Sequence, residues 1–273
     1  MTSNGSSRSA ETRRGTSRVA TNKREERERR LRAQRRRFYL RVGFAAVILA
    51  ALIGSGVSVY RSDVFAVEQI AVVGAQHLTV EHVREVAAVP DRATLLRLPS
   101  EEVKARLEAD PWIAAATVSR DFPDTVRLDV VERVPVALVD KGDATFWLVD
   151  SSGYMIEQSA PATETALVVI RDIPGLDPRA GERTLSEPLL NALAVWEGLG
   201  EELRGRVRAI SAGSIDKTAL ITSDDIEIFV GSADDIDRKD AVARRILEEQ
   251  AGAVVYINVR SVERPTWRGL GGE

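Results

Sequence analysis

Few side chains in this sequence could do chemistry, and they do not form a recognisable catalytic or metal-binding set. The 273 residues include two histidines and no cysteine, which excludes disulfides, thiolate metal sites and cysteine nucleophiles. His77 and His82 are five residues apart, whereas two imidazoles share a helical face at a spacing of i, i+4. Both histidines are therefore expected to be solvated polar side chains, and no zinc site is predicted.

Two pairs of adjacent acids are the other candidates for general acid–base chemistry, Asp224-Asp225 and Asp234-Asp235. They stand at the predicted start of a strand and of a helix, where adjacent acids more often form turns and helix N-caps. The sequence contains no Gly-x-Ser-x-Gly elbow and no phosphate-binding loop. We therefore predict no catalytic residue and no cofactor, and a binding protein is favoured over an enzyme.

Charge is distributed unevenly along the chain, although the formal net charge is only −3. Residues 1–41 hold fourteen Lys or Arg against four acids, a charge of +10, and the rest of the chain holds 24 bases against 37 acids, a charge of −13. Arg outnumbers Lys 33 to 5, which is typical of a high-GC genome such as that of an actinobacterium.

The segment that divides these two regions is residues 42–60, nineteen residues without an ionisable side chain between Arg41 and Arg61. As a helix it would cover roughly 28 Å, about the thickness of the hydrocarbon core of a membrane. Basic residues cluster directly before it, so the positive-inside rule predicts a cytoplasmic N-terminus and an extracytoplasmic region at 61–273. The alternatives are a buried core helix, which is usually shorter, and a signal peptide cleaved near residues 64–66.

The tail at residues 1–41 is rich in Ser, Thr and Arg and has too few large apolar residues to form a core. It is therefore predicted to be cytoplasmic and disordered. The basic cluster at 23–37 is explained by membrane topology and by attraction to anionic lipids. Binding of nucleic acid is the alternative for that cluster.

Past the membrane segment, the pattern up to residue 134 predicts a small β-α-α-β-β region. Alternation of apolar and polar residues indicates the strands, Thr79 and Ser100 are expected N-caps, and Asp110-Pro111 is expected to end the second helix. The predicted strands are 66–73, 112–120 and 125–134, and the predicted helices begin after Thr79 and Ser100. Trp112 and Phe122 are expected to fill the core of this region.

The pattern changes after Pro135 to short strands with two helices, so the fold class is α+β with a mixed β-rich second region. Helices are predicted at 187–200 and 236–250, and residues 265–273 are expected to form a loose end. The predicted strands are 136–140, 145–150, 154–157, 166–171, a meander from 207 to 231, and a final strand at 254–260. This final strand is either an open edge that takes up a partner strand or an ordinary outer strand covered by its own helix.

Several segments resemble the FtsQ/DivIB family of bacterial cell division proteins, in the family's order and spacing. The residues that carry the resemblance are V-x-x-I-x-V-x-G at 67–74, P-W-I at 111–113 with A-x-V-x-R at 116–120, F-P-x-T-V at 122–126, E-R-x-P-V-A at 132–137, W-x-V-D-x-x-G at 147–153, and V-G at 230–231 with Lys239. The resemblance covers about four-fifths of the chain, from the membrane segment to residue 260.

The resemblance implies a POTRA domain at 61–134, a β domain at 135–260 and a C-terminal tail at 261–273. It implies a non-enzymatic scaffold at the division septum, which links early and late division proteins and helps control septal peptidoglycan synthesis. The implied partners are FtsB/DivIC and FtsL, and indirectly FtsW and FtsI. A POTRA-containing component of a secretion or spore-engulfment system and an anchored cell-wall enzyme are the alternatives.

In the family, the last strand of the β domain takes up a strand of FtsB. The partner-binding residues implied here are Val254, Val255, Tyr256, Ile257, Val259, Arg260 and Trp267. Relatives have an aromatic residue where this chain has Ser261, and Trp267 could supply that contact. Proline at Val259 is expected to block docking, and Arg133 and Pro135 are expected at the junction of the two domains.

Overall fold

The computed structural model describes residues 40–142, 145–159 and 166–269. The described residues divide into two units between Phe65 and Ala66, and each unit is described by itself. The prediction of a disordered tail falls almost entirely outside the described residues.

Helix α1, Leu40–Arg61, contains the predicted membrane segment. It has 22 residues, a mean hydropathy of 2.3 and no buried residue in its most apolar window. A buried core helix would be covered by other elements, so the exposed apolar surface of α1 argues against that alternative. The helix fits a single-pass membrane anchor.

The first folded region confirms the predicted β-α-α-β-β order. Its sheet has the strand order β1-β3-β2, with β1 parallel and β2 antiparallel to the central strand. Its elements are β1 (Gln69–Val73), α2 (Val80–Ala87), α3 (Ser100–Glu108), β2 (Ile113–Asp121) and β3 (Thr125–Glu132).

The helices of this region start and pack as short amphipathic helices do. The Thr79 side chain caps α2 by accepting the His82 N–H at 3.2 Å. Helix α3 begins at Ser100 itself and has Pro99 at its N-cap position, one residue earlier than predicted. The core contains Val83, Ala87, Val103 and Leu107 of the helices and Val126, Leu128 and Val130 of β3.

The two aromatic residues predicted for this core lie elsewhere. Phe122 is 57% exposed in the β2–β3 turn, so the prediction that it fills the core is wrong. Trp112 is 8% exposed, but it packs in an apolar cluster with Leu138, Leu148 and Ile156 of the second region. Trp112 directly precedes β2, which lets its indole reach the neighbouring domain.

The second region is one nine-stranded mixed sheet with the order β12-β11-β10-β9-β8-β7-β4-β5-β6. The strands are β4 (Pro135–Asp140), β5 (Phe146–Asp150), β6 (Met155–Ser159), β7 (Val168–Arg171), β8 (Val207–Ser211), β9 (Ala219–Thr222), β10 (Glu227–Phe229), β11 (Val254–Asn258) and β12 (Thr266–Gly269). The helices are α4 (Glu187–Gly198), α5 (Glu201–Arg204) and α6 (Ile236–Glu249).

Helices α4 and α6 cover one face of this sheet. Their apolar residues share a single core with the inward side chains of the strands, including Leu189, Leu193, Ala243, Leu247, Ile210, Ile228 and Ile257. The predicted meander is confirmed by the antiparallel pairing of β8, β9 and β10. Strand β11 pairs parallel with β10. Parallel neighbours need a crossover connection, and helix α6 forms it.

The end of the sheet differs from the prediction. The strand predicted at 254–260 ends at Asn258 and is paired on both sides, by β10 and by β12. Residues expected to be a loose end form β12, Thr266–Gly269, in antiparallel pairing with β11. Among the described strands, β12 is therefore the terminal one, and residues 254–260 are not an edge.

Candidate functional site: the edge at strand β12

Strand β12 has a strand on one side only, within the part of the chain that the structure describes. A strand in this position presents unpaired N–H and C=O groups, which form a template for another chain. The opposite edge strand, β6, is partly covered, because the N–H of Met155 donates to Glu182 O and the N–H of Gly181 donates to Met155 O, both at 2.9 Å. The more open template is therefore β12.

The orientation of the main-chain groups of β12 follows from one hydrogen bond. The N–H of Val259 donates to Phe229 O in β10 at 2.9 Å. Successive residues of a strand direct their main-chain groups to opposite sides, so Tyr256 and Asn258 face β12. Their partners are Arg268 and Thr266. The N–H and C=O of Trp267, between these two, therefore point away from the sheet.

The two faces of β12 carry different chemistry. Trp267 is opposite Ile257 and lies on the face covered by helices, where it is 47% exposed. Arg268 is opposite Tyr256 on the other face, and its guanidinium lies 5.4 Å from the centre of the tyrosine ring. An added strand would therefore meet an aromatic surface on one face and a cation on the other.

The structure separates the predicted partner-binding residues into two groups. Val254, Ile257 and Val259 are buried in the core beneath α6, and Val255 and Tyr256 are half-buried. Only Arg260 and Trp267 are exposed. Residues 254–260 are not an open edge, because their main-chain groups are already bonded within the sheet, and their assignment to partner binding stays a prediction.

The expected test with proline at Val259 is corrected for the same reason. The Val259 side chain is fully buried, and its N–H takes part in the bond to Phe229. Proline there would remove an internal bond and disturb the core, so a loss of docking would not identify the edge. Arg268 was not among the residues predicted from the sequence. Its position next to Trp267, which was predicted, could have identified it.

Arg260 is fixed by contacts within the chain. Its Nε donates to Asn258 Oδ1 at 3.2 Å, and its guanidinium lies 5.9 Å from the centre of the Phe229 ring. Gly231, with φ of +66°, lies beneath it, and a Cβ at Gly231 would be 3.1 Å from the Arg260 Cγ. Glycine at this position therefore permits the close approach of the arginine.

Two polar side chains, one half-buried and one buried, bond to the β10–α6 loop. Asn191 donates to Gly231 O at 3.0 Å and accepts the Ala233 N–H at 2.9 Å. The nearly buried Lys239 donates from Nζ to Ser232 O at 2.7 Å, and its burial lowers the pKa of the ammonium. Lys239 belongs to the family-like sequence pattern, and its contact here is structural.

The junction of the two domains contains a second group of specific contacts. The Trp112 indole donates from Nε1 to Glu157 Oε2 at 3.0 Å, and His77 stacks on its ring at a centroid distance of 3.6 Å. Arg133 pairs with Asp150 at 2.9 Å, and its guanidinium carbon lies 3.5 Å from the centre of the Tyr154 ring. The prediction that Arg133 lies at the junction is confirmed, and His77 is exposed as predicted while its ring also stacks on Trp112.

Glu132 closes the loop between β1 and α2. Its carboxylate accepts the backbone N–H groups of Gln76, His77 and Leu78 at 3.0, 2.8 and 2.9 Å. Burial works to raise the pKa of Glu132, but these three hydrogen bonds outweigh it, so the pKa lies below its ordinary value. The pKa of Asp150 is lowered in the same way, with burial opposed by bonds from Tyr154, Ser152 and Arg133.

These lowered pKa values predict acid sensitivity. A carboxyl whose pKa is lower in the folded state stabilises the fold above its unfolded pKa, about 4, and this contribution is lost as the pH falls through the folded pKa. Urea unfolding of the full chain in detergent, followed by the fluorescence of its four tryptophans, is therefore expected to show a free energy of unfolding that falls below pH 4.

Glu132→Gln should lower the free energy of unfolding by about 2 kcal/mol at pH 7, because an amide cannot replace three charge-assisted bonds. It should also reduce the loss of stability at acid pH. Glu263→Gln is the matched control, because Glu263 is exposed and makes no hydrogen bond to the described residues. An acid dependence unchanged by Glu132→Gln would contradict this role for the carboxylate.

The remaining chemical candidates have structural contacts. His82 pairs with Asp110 at 2.9 Å at the surface, and His77 is the only other histidine of the sequence. Asp225 lies in the β9–β10 turn with φ of +63°, and Asp235 stands at the N-cap position of α6. Within the described ranges no three His, Asp or Glu side chains form a group that could hold a metal ion.

One sequence motif was missed, Ser-x-x-Lys at Ser214 to Lys217, a spacing used by some serine acyl enzymes. Here its last three residues form a single 3-10 turn, Ile215–Lys217, and Lys217 is exposed. The Ser214 carbonyl accepts the Thr218 hydroxyl at 3.1 Å. The motif therefore acts as a turn that leads into β9.

Two family models match the two regions of residues 66–269. The model described as POTRA domain, FtsQ-type, matches residues 65–133. The model described as Cell division protein FtsQ/DivIB, C-terminal, matches residues 137–260. The boundary between the two matches lies at the junction of Arg133 and Pro135.

Similar proteins that carry the name Cell division protein FtsQ come from several bacteria. The protein of Anaeromyxobacter sp. (strain K) is 30% identical over 234 residues, which covers 83% of this chain and 78% of the relative. The protein of Streptomyces bingchenggensis is 35% identical over 195 residues, which covers 70% and 71%. The protein of Mycobacterium tuberculosis H37Rv is 28% identical over 202 residues, which covers 73% and 61%.

Proposed function

The chain belongs to the FtsQ/DivIB family of bacterial cell division proteins, and from this premise we propose that it is a non-enzymatic scaffold of the divisome. It links early and late division proteins and helps control septal peptidoglycan synthesis. Its direct partners are FtsB/DivIC and FtsL, and through them it acts on FtsW and FtsI. The membership also favours division over secretion or spore engulfment, because the second model is specific to FtsQ/DivIB.

The observation that carries this proposal is the open edge of β12. A strand of FtsB/DivIC adds to β12 by main-chain hydrogen bonds to the outward N–H and C=O of Trp267. The residues proposed from the sequence, Val254 to Arg260, support this edge from the neighbouring strand. The β domain proposed here therefore includes β12 and continues to Gly269.

The chemistry of the site supports binding in preference to catalysis. The edge offers main-chain donors and acceptors, an exposed indole and a guanidinium, and these groups recognise a peptide strand. A nucleophile with an adjacent base is the arrangement that an acyl-transfer enzyme needs. Turnover of peptidoglycan fragments by the purified chain, abolished by substitution of an acidic residue, would overturn the non-enzymatic assignment.

We propose that this edge lies on the outer side of the cell membrane. The uncharged segment 42–60 of helix α1 follows a region of charge +10 and precedes an acidic region of charge −13, a distribution that favours a cytoplasmic N-terminus. Residues 61–273 are then extracytoplasmic and lie at the division septum. Protease added to intact spheroplasts is expected to digest the outer region and to spare an N-terminal epitope tag.

Depletion of this protein tests the division role directly. Cells are expected to elongate without septa while growth in mass continues, because a missing scaffold blocks septal synthesis and not general metabolism. Time-lapse microscopy with a fluorescent fusion should show the wild-type chain at mid-cell or at future septa. Septa formed at the normal frequency after depletion to below detection would contradict the proposal.

A further inference from the structure

Strand addition at the edge uses main-chain groups and does not involve the exposed guanidinium of Arg268. Arg268 lies on the outermost described strand and contacts the Tyr256 ring, at 5.4 Å. Within the described ranges it makes no hydrogen bond and no ion pair. Guanidinium has five N–H donors in a fork that matches a carboxylate, so its hydrogen-bonding capacity is available to a partner.

The arginine that follows β11 is already engaged. Arg260 donates to Asn258 and contacts Asp216 O at 3.5 Å. On the face opposite the helices, Arg260, Phe229, Tyr256 and Arg268 lie in sequence, with Phe229 and Tyr256 ring centres 5.4 Å apart. Arg268 is the last side chain of this row, and an added strand would lie directly beside Arg268.

The register of an added strand follows from the direction of the Trp267 main-chain groups. The residue of the added strand that lies opposite Trp267 shares its face, the face covered by helices. The next residue of the added strand lies opposite Arg268 on the other face. Trp267 continues the buried apolar surface of Ile257 and α6, so an apolar side chain is favoured opposite it.

We propose that Arg268 is a specificity-determining residue, which selects a partner strand carrying an apolar residue opposite Trp267 and an adjacent Asp or Glu opposite Arg268. This inference rests on the proposed docking at β12 and adds the chemistry of the strand that docks there. Opposite charges in directly opposed positions stabilise a strand pair, and like charges destabilise it. The charge of −13 beyond the tail disfavours acidic partners elsewhere, so Arg268 fixes the position of the carboxylate.

Charge reversal at Arg268 tests the inference, with the full chain in detergent and the extracytoplasmic part of FtsB/DivIC as the probe. Arg268→Glu is expected to weaken binding about tenfold, roughly 1.4 kcal/mol, and to reduce its salt dependence. A single Asp→Arg or Glu→Arg substitution in the partner strand should restore binding to Arg268→Glu. Arg245→Glu on α6 is the matched control, because it changes the net charge equally on the face covered by helices.

The outcomes separate this inference from the proposed function. Weaker binding by Arg268→Glu alone, restored by the reversed partner, supports the inference. Equal weakening by Arg268→Glu and Arg245→Glu would show only a general effect of charge and would overturn it. Unchanged binding by Arg268→Glu, with binding still lost in Trp267→Pro, would overturn the inference and leave docking at β12 intact. Wild-type binding by both variants would overturn docking at β12 as well.

Discussion

Trp267→Pro is expected to abolish binding of FtsB/DivIC, with an affinity at least a hundredfold below that of the wild type. Proline has no N–H, and the N–H of Trp267 is the outward donor at the centre of the four-residue strand β12. Strand addition depends on a continuous series of main-chain bonds, so loss of its central donor should prevent pairing on both sides of that position.

Trp267→Ala is the matched control for this substitution. Both variants lose the indole, but only proline loses the main-chain donor, so the difference between them measures strand addition itself. Alanine should weaken binding about tenfold, because a half-exposed aromatic anchor at an interface contributes roughly 1–2 kcal/mol. Isothermal titration with the purified partner provides the affinities.

The folded state of both variants should be similar, because the N–H of Trp267 has no role in the internal ladder and proline is tolerated in an edge strand. Urea unfolding followed by the three remaining tryptophans, Trp112, Trp147 and Trp196, checks this. Equal binding by a folded Trp267→Pro variant and by Trp267→Ala would show that the partner docks without pairing to β12.

Trp112→Ala is expected to cause the largest loss of stability among single substitutions at the domain junction, about 4 kcal/mol. The substitution leaves a cavity among Leu138, Leu148 and Ile156, and loss of a large buried aromatic costs about 3–5 kcal/mol. It also removes the stacking surface of His77 and the donor to Glu157. The contact between the two domains should therefore weaken together with the core.

Trp112→Phe separates these effects, because phenylalanine retains most of the apolar volume and lacks the indole N–H. This substitution should lower the free energy of unfolding by about 1–2 kcal/mol, since Glu157 is exposed and water can replace the missing donor. The free energy of unfolding in urea gives both values. Small-angle X-ray scattering should show a wider range of domain orientations for the alanine variant only. A stability loss below 1 kcal/mol for Trp112→Ala would contradict the role of the indole.

The order of the elements was predictable from the sequence because most of them have strong local patterns. Thr79 predicted the start of α2 through its side chain, and alternating apolar residues predicted β3 and the β8–β10 meander. Strand β12 was not predictable, because its four residues, three of them exposed, have no alternation that indicates burial. Pairing with β11 alone makes that segment a strand, and this is a tertiary effect that local propensity does not contain.

The site was predictable only in part for the same reason. Trp267 was identified from its aromatic character, and Arg260 from the family pattern. The burial of Ile257 and Val259 was not predicted, because a strand with partners on both sides and one with a free edge have the same apolar composition. Trp112 and Phe122 are both aromatic residues beside β2, and only the position of the second domain decides which of them is buried.

The width of the second sheet sets the distance between the domain junction and the proposed docking edge. With strands spaced by about 4.8 Å, the eight intervals from β6 to β12 amount to roughly 38 Å. Glu157, which accepts a hydrogen bond from Trp112 of the first domain, lies on the strand at one end, and the outward main-chain groups of Trp267 lie at the other. Because main-chain hydrogen bonds connect all the strands between them, tension on a strand bound at the proposed edge would reach the domain junction as a torque with an arm of nearly four nanometres.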